Sequence, residues 1–163
     1  MNVRALSADD AEAFRNLRLE ALTLYPTNFL TTAEEFSARS MEEHRDMLAR
    51  GTFWGVFEKD ALVGIGALLP EHFAAAAHRA TVGAFYVRRS HQGLGAASDL
   101  MRGIIEAALA RGIWQIELFV ADSNPRAQRF YARHGFREVG RLPNAALIQG
   151  AMTSDIFMVA DLR

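Results

Sequence analysis

Cysteine is missing from the chain altogether, and lysine occurs once, at Lys59. Without thiols there is no disulfide framework, no cysteine-ligated metal and no thiol nucleophile, so covalent thioester catalysis is excluded. No Pro/Gly/Ser-rich linker and no internal repeat divides the sequence, which favours one domain over residues 1–163. No apolar run approaches the ~18 residues of a membrane-spanning helix. The opening MNVRALSADD has no apolar core behind its early arginine, so it does not read as a signal peptide. The expectation is a cytoplasmic protein with no membrane partner and no metal.

What is present is an ordinary globular composition. Half of the residues (50%) are apolar and 23% are charged. A chain of 163 residues buries roughly 70% of its unfolded surface, enough for a core without staples. The net charge of −1 speaks against nucleic acid as a partner. The charge is unevenly placed: residues 1–82 carry 8 basic and 12 acidic side chains, residues 83–163 carry 10 and 7. A basic second half suits an anionic cofactor, and an acidic first half a cationic acceptor.

Periodicity and breakers give the element order β-αα-βββ-α-β-α-ββ. A strand at Val3–Ala5 leads to a helix capped by Ser7, with Phe14, Leu17, Ala21 and Leu22 at helical spacing. Tyr25-Pro26-Thr27-Asn28 ends it, and a second helix is predicted over Ser40–Arg50. Thr52–Glu58 and Ala61–Leu69 read as a hairpin turning at Lys59-Asp60, followed by a connection over Pro70–His78. The next strand is Arg79–Val87, the next helix Ser98–Ala110 and the next strand Ile113–Val120. Asn124 caps a helix with Pro125 at its first position, and Gly135 ends it. Strands are expected near Phe136–Leu142 and Asp155–Asp161. Strands interleaved with helices predict an α/β (α+β) sheet covered by helices.

Tyr86 to Met101, YVRRSHQGLGAASDLM, carries the most chemistry. A strand runs into a turn with Gly93 and Gly95 and then into a helix N-terminus. Unpaired amides and the helix dipole converge there on one point, and small Ala96 and Ala97 keep the approach open, which makes a phosphate cradle. It is not a Walker A loop, which needs a lysine and a Ser/Thr, nor a dinucleotide fingerprint, whose third glycine falls at Ser98. A second block follows: Leu118-Phe119-Val120, Asn124-Pro125-Arg126-Ala127, Phe130-Tyr131 and Gly135-Phe136. Ala127, Phe130, Tyr131 and His134 share one helical face, with Arg126, Arg129 and Arg133 beside it. Alone, this helix reads as a buried aromatic face with a solvated arginine edge. Behind a phosphate loop, it reads as a cofactor wall.

Gln92-Gly93-Leu94-Gly95-Ala96-Ala97 resembles the Q/R-x-x-G-x-G/A signature of the GCN5-related N-acetyltransferases. The second block is similar to that family's V-x(n)-N-x-x-A-x-x-x-Y-x-x-x-G-F region. The resemblance implies a mixed sheet of six to seven strands, about four helices, and a V-shaped gap between the fourth and fifth strands. It implies acetyl-CoA as cosubstrate, with pyrophosphate on Gln92, Gly93, Leu94, Gly95, Ala96 and Ala97 and pantetheine along Phe85, Tyr86 and Val87. Asn124, Arg126, Ala127, Phe130 and Tyr131 would complete that cofactor surface. Direct transfer to a primary amine in a ternary complex is implied, with Tyr131 as the acid that protonates the departing thiolate. The alternative is an acetyl-CoA-binding sensor or scaffold that does not acetylate.

Two departures stand out. Arg89 sits where many relatives carry proline, and Thr81 where many carry a glutamate base. Candidates for the base are Glu71, His72, His78, Glu20 or water. Arg18, Glu20, Tyr25, Phe29 and Trp54 are candidates for the acceptor side, with core positions the stronger reading for Phe29 and Trp54; the amine can belong to a small molecule, a peptide or a protein. Pro143–Ser154 is expected as a loop over the acceptor site, and Leu147 and Ile148 as a possible homodimer contact.

Overall fold

Reciprocal capping fixes the helical N-terminal region. The computed structural model describes residues 1–163 and begins with β1 (Asn2–Ala5), a short 3-10 turn and α1 (Ala11–Leu24). The Asp10 carboxylate accepts the Ser7 amide at 2.8 Å and pairs with Arg4, so the α-helix starts later than a Ser7 cap predicts. Thr32 and Glu35 exchange hydrogen bonds of 3.1 and 2.9 Å, which nucleates a short α2 (Ala33–Ser37) absent from the sequence reading. Ser40 and Glu43 repeat the device ahead of α3 (Met41–Ala49).

The remaining elements are β2 (Phe53–Glu58), β3 (Ala61–Pro70), β4 (Arg79–Val87), α4 (Ala96–Ala110), β5 (Gln115–Ala121), α5 (Pro125–Arg133), β6 (Arg137–Ile148) and β7 (Ala151–Asp161). All seven strands form one sheet in the order β1-β2-β3-β4-β5-β7-β6. Every pair is antiparallel except β4–β5. One core layer lies between the sheet and α4 with α5; a second lies under α1, α2 and α3. No helix is long and apolar enough to cross a membrane.

The parallel pair is where the sheet opens. Arg79–Thr81 pair with Gln115–Glu117, and no pairing continues beyond them. The closed end is held by Arg79, bonded to Glu117 and 3.7 Å from Glu71, and by His78 stacked on Trp114 at 4.4 Å. Further along, β4 carries one residue more than its partner β3: Ala67 faces Gly83, yet Ile65 faces Tyr86. Ala84 absorbs the extra residue at φ 49°. Such a bulge bends its strand, here away from β5.

Two sequence expectations are corrected. Pro143–Ser154 is no loop: β6 continues to Ile148, Gln149-Gly150 turn at φ 53° and 80°, and β7 starts at Ala151. Proline is tolerated because β6 is the edge strand and its register slips between Leu142 and Ala146. Trp54 packs on the α4 side of the sheet, with Arg111 5.9 Å from its ring, and so is not on the face that α1 covers.

The α1–α3 core contains a weak point. His44 is fully buried, 4.6 Å from Phe36 and 6.3 Å from Phe14, and neither ring nitrogen has a partner. Burial, with Arg15 and Arg39 adding to it, lowers its pKa below the ordinary value. The unfolded chain therefore takes up the proton first, and stability is lost as pH falls below about 6.5. Replacing His44 with leucine is expected to raise stability by about 1 kcal/mol at neutral pH, since an unsatisfied donor is removed. The acid-side loss should shrink with it. Urea melts between pH 5 and 8 test this, and an unchanged acid slope would contradict it.

Candidate active site

The site is built where β4 runs into α4. Val87 ends the strand, and Gly93 and Gly95 adopt φ of 80° and 93°, with Gly95 as the N-cap residue of α4. A side chain at either position meets no neighbour within 4 Å, so the demand for glycine is conformational. The consequence is a row of free donors: the amides of Gly93, Gly95, Ala96, Ala97 and Ser98 have no acceptor in the protein. Five N–H groups at a helix N-terminus fit an anionic diphosphate without any metal or lysine. Gln92 braces the loop, its Nε2 donating to the Val87 carbonyl at 3.0 Å and its Oε1 accepting from Arg126 at 3.2 Å.

The loop opens into a cavity of about 530 Å³ between the splayed strands. Gly83 to Val87 line one wall and Phe119 to Ala121 the other. The far edge of β4 beyond Thr81 has no strand partner, so its backbone is open to an extended ligand. Helix α5 forms the floor. Asn124 caps it, its Oδ1 accepting the Ala127 amide at 3.1 Å, which leaves the side-chain NH₂ free. At the other end, the Phe136 amide reaches the Tyr131 carbonyl at 3.1 Å, around Gly135 at φ 89°. That closure seats Tyr131 with Phe85 (6.2 Å), Phe130 (5.4 Å) and Phe136 (5.6 Å). Burial raises the Tyr131 pKa above its ordinary value, so the hydroxyl is a proton donor throughout the physiological range.

On the opposite face, Tyr25, Asn28 and Phe29 lean over the cleft from the turn after α1. Glu20 is occupied: it accepts from the Tyr86 hydroxyl at 2.8 Å and lies 3.5 Å from Arg88. Burial, followed by the bond to Glu20, raises the Tyr86 pKa. Asp155 is half-buried on β7, one strand behind the cavity wall and directly across from its residue Ala121; it does not line the cavity itself and accepts no hydrogen bond. Cross-strand partners share a face, so its carboxyl belongs with Phe157, which stacks on the cavity residue Phe119 at 4.7 Å. Burial first, and the charge of Asp122 second, raise its pKa above the ordinary carboxylate value.

The model of the acetyltransferase (GNAT) family matches residues 12–136. The chain belongs to that family. No curated protein sequence matches it. Among solved structures, YncA of Salmonella typhimurium with its cofactor acetyl-CoA is 16% identical, with a TM-score of 0.86 over 100% of this chain and 94% of that one. A ribosomal-protein-alanine N-acetyltransferase from Brucella melitensis is 19% identical, with a TM-score of 0.84 over 99% and 100%. A chimera built on the spermidine N-acetyltransferase of Vibrio cholerae is 22% identical, with a TM-score of 0.77 over 99% and 94%. The seven-stranded sheet with its parallel β4–β5 pair is thus the GNAT fold.

Most residues expected to touch acetyl-CoA converge in this GNAT cleft. Phe85, Tyr86, Val87, Gln92, Gly93, Gly95, Ala97, Asn124, Arg126, Ala127, Phe130 and Tyr131 all line it. Leu94 does not: its side chain is exposed at 66%. Ala96 contributes only its amide, because its methyl is fully buried in the core. Arg133 reaches the cavity and Arg129 does not. Glu71, His72 and His78 belong to the connection at the closed end of the V, and none lines the cavity. Sequence reading missed the Ala84 bulge, Asn28 and Asp155. Only Gly83 hints at the first, and cross-strand register alone reveals the last.

Proposed function

We propose that the protein transfers the acetyl group of acetyl-CoA directly to a primary amine in a ternary complex. The observation that carries this reading is one continuous surface. Five free amides lead into an open strand edge, and that edge ends beside a buried, protonated tyrosine. Gly93–Ser98 would hold the pyrophosphate and Gly83–Val87 the pantetheine. Asn124 offers its NH₂ to a pantetheine carbonyl, and Arg126 is poised at the cavity edge for phosphate. The thioester supplies the activated acetyl carbonyl, and backbone N–H groups at the bulge donate to its oxygen as charge develops.

Two proton movements balance the transfer. The new N–C bond requires the amine to lose one proton, and the broken C–S bond requires sulfur to gain one. Asp155, through water, accepts the first, and the Tyr131 hydroxyl donates the second. Asp155 is the base the sequence did not reveal. The other candidates either lie at the closed end of the V or, like Glu20, are already bonded. We place the reaction in the cytoplasm and assign it to residues 1–163 as one domain.

Calorimetry is expected to show acetyl-CoA binding and no ATP binding; the reverse would overturn the assignment. A library of primary amines should then contain members that release coenzyme A thiol. Tight acetyl-CoA binding with no amine-dependent release would leave a sensor rather than an enzyme.

A further inference from the structure

Arg18 lies on the packed face of α1, only 8% exposed. Its Nη1 is sealed from solvent without a partner, and none of its nitrogens forms a hydrogen bond or an ion pair within the protein. The ring of Phe29 lies against the guanidinium, 4.5 Å away. Burial, with the nearby Arg39 cation adding to it, lowers the Arg18 pKa to about 10, which still leaves it charged at neutral pH.

No acid of the protein pairs with Arg18, and three carboxylates of this helical region are bonded to other groups. Glu35 and Glu43 cap their own helices through Thr32 and Ser40, and Glu20 holds Tyr86 and Arg88. Burying an unpaired charge is far more unfavourable than stacking on one aromatic ring is favourable. The fold therefore carries a cation with no protein partner and one sealed nitrogen against the ring of Phe29, and Phe29 with Tyr25 and Asn28 lines the acceptor-side wall of the cavity.

We propose that Arg18 is an anion subsite of the acceptor pocket and that the acceptor is a primary amine bearing a carboxylate. This rests on the acetyl-transfer reading above. Neither Arg18 nor Asp155 lines the cavity itself; an acceptor that displaces the Phe29 ring places its carboxylate on Arg18, while its amine lies toward Asp155 behind the β5 wall. The two poles match a zwitterion. A polyamine or an aminoglycoside, cationic throughout, meets Arg18 and Arg39 with no anion to offer.

The test uses pairs of amines that differ only in the carboxylate, phenylalanine against phenylethylamine and leucine against isoamylamine. Thiol release is followed with acetyl-CoA saturating. Wild-type kcat/KM should favour the carboxylate member by about 10-fold or more, the range of a charge-assisted hydrogen bond. Arg18→Gln should abolish that preference through KM, with the acetyl-CoA Kd unchanged, and Arg18→Lys should keep part of it. Arg18→Met should raise the Tm of the acceptor-free protein, because an unpaired buried charge is removed; a purely packing role for Arg18 predicts a fall.

A wild-type preference for the decarboxylated amines, or a preference that survives Arg18→Gln, would overturn the proposal while leaving acetyl transfer intact. If no amine in either set or in the wider library releases thiol, the acetyl-transfer reading fails instead. Saturation-transfer NMR on the acetyl-CoA-bound protein, with the same pairs, then decides the subsite. Contact that depends on the carboxylate and is lost in Arg18→Gln supports it, and contact indifferent to the carboxylate overturns it.

Discussion

Replacing Tyr131 with phenylalanine is expected to lower kcat by about 100-fold while leaving the Kd of acetyl-CoA within about threefold of wild type. The split follows from what the side chain does in the fold. Its ring is one of four packed aromatics, with Phe85, Phe130 and Phe136, and phenylalanine keeps those contacts. The hydroxyl bonds to no protein group, so its removal orphans nothing. Burial alone raises its pKa. An ordinary thiol titrates near about 8.5 and an ordinary tyrosine near about 10, so the hydroxyl keeps its proton until the C–S bond breaks, and it yields the proton then because burial disfavours the departing thiolate as well. On the proposed mechanism, the hydroxyl donates a hydrogen bond to sulfur until then. Its raised pKa also means that Tyr131 gives no basic limb to the wild-type rate within the assay range. Stopped-flow turnover and calorimetry separate the two constants. Equal losses in kcat and affinity would reduce Tyr131 to a packing residue.

The glycine loop and α5 are readable because their information is local. Gly93 and Gly95 announce positive φ, Asn124 and Pro125 announce a capped helix, and the interval to Tyr131 fixes which side chains share a face. The wall across from them depends on pairing between distant segments. Nothing near Ala84 in the sequence says that β3 has one residue fewer over the same stretch, so the bulge is invisible until the two strands are aligned. The long β6–β7 hairpin was hidden for a different reason. Pro143-Asn144 and Gln149-Gly150 are turn residues by composition, and only the edge position of β6 lets a strand continue through the first pair. Trp54 and Arg18 show the same limit. Both were candidates for the acceptor side, yet the side of the sheet that each occupies separates them.

The same long-range pairing makes Asp155 the subject of the second large effect. Asp155→Asn is expected to reduce kcat/KM at neutral pH by about 100-fold or more, the usual contribution of a positioned base. A weakly basic amine is the suitable acceptor, since its own protonation then stays out of the pH range of interest. With it, wild-type kcat/KM should fall on the acid side as Asp155 gains its proton. The midpoint should lie above the ordinary carboxylate value because burial and Asp122 both favour the neutral form. Neighbouring charges give the signature that a structural role cannot mimic. Asp122 faces Asp155 from the end of β5 and is itself paired with Arg141 of β6. Asp122→Asn removes a like charge, lowers the Asp155 pKa and should move the acid limb to lower pH. Arg141→Gln leaves Asp122 unneutralised, raises the Asp155 pKa and should move the limb the other way. An acid limb that keeps its midpoint in both neighbours, or that survives unchanged in Asp155→Asn, would assign the proton to another acceptor. Opposite displacements would instead tie the base to β7, one strand from the cavity wall.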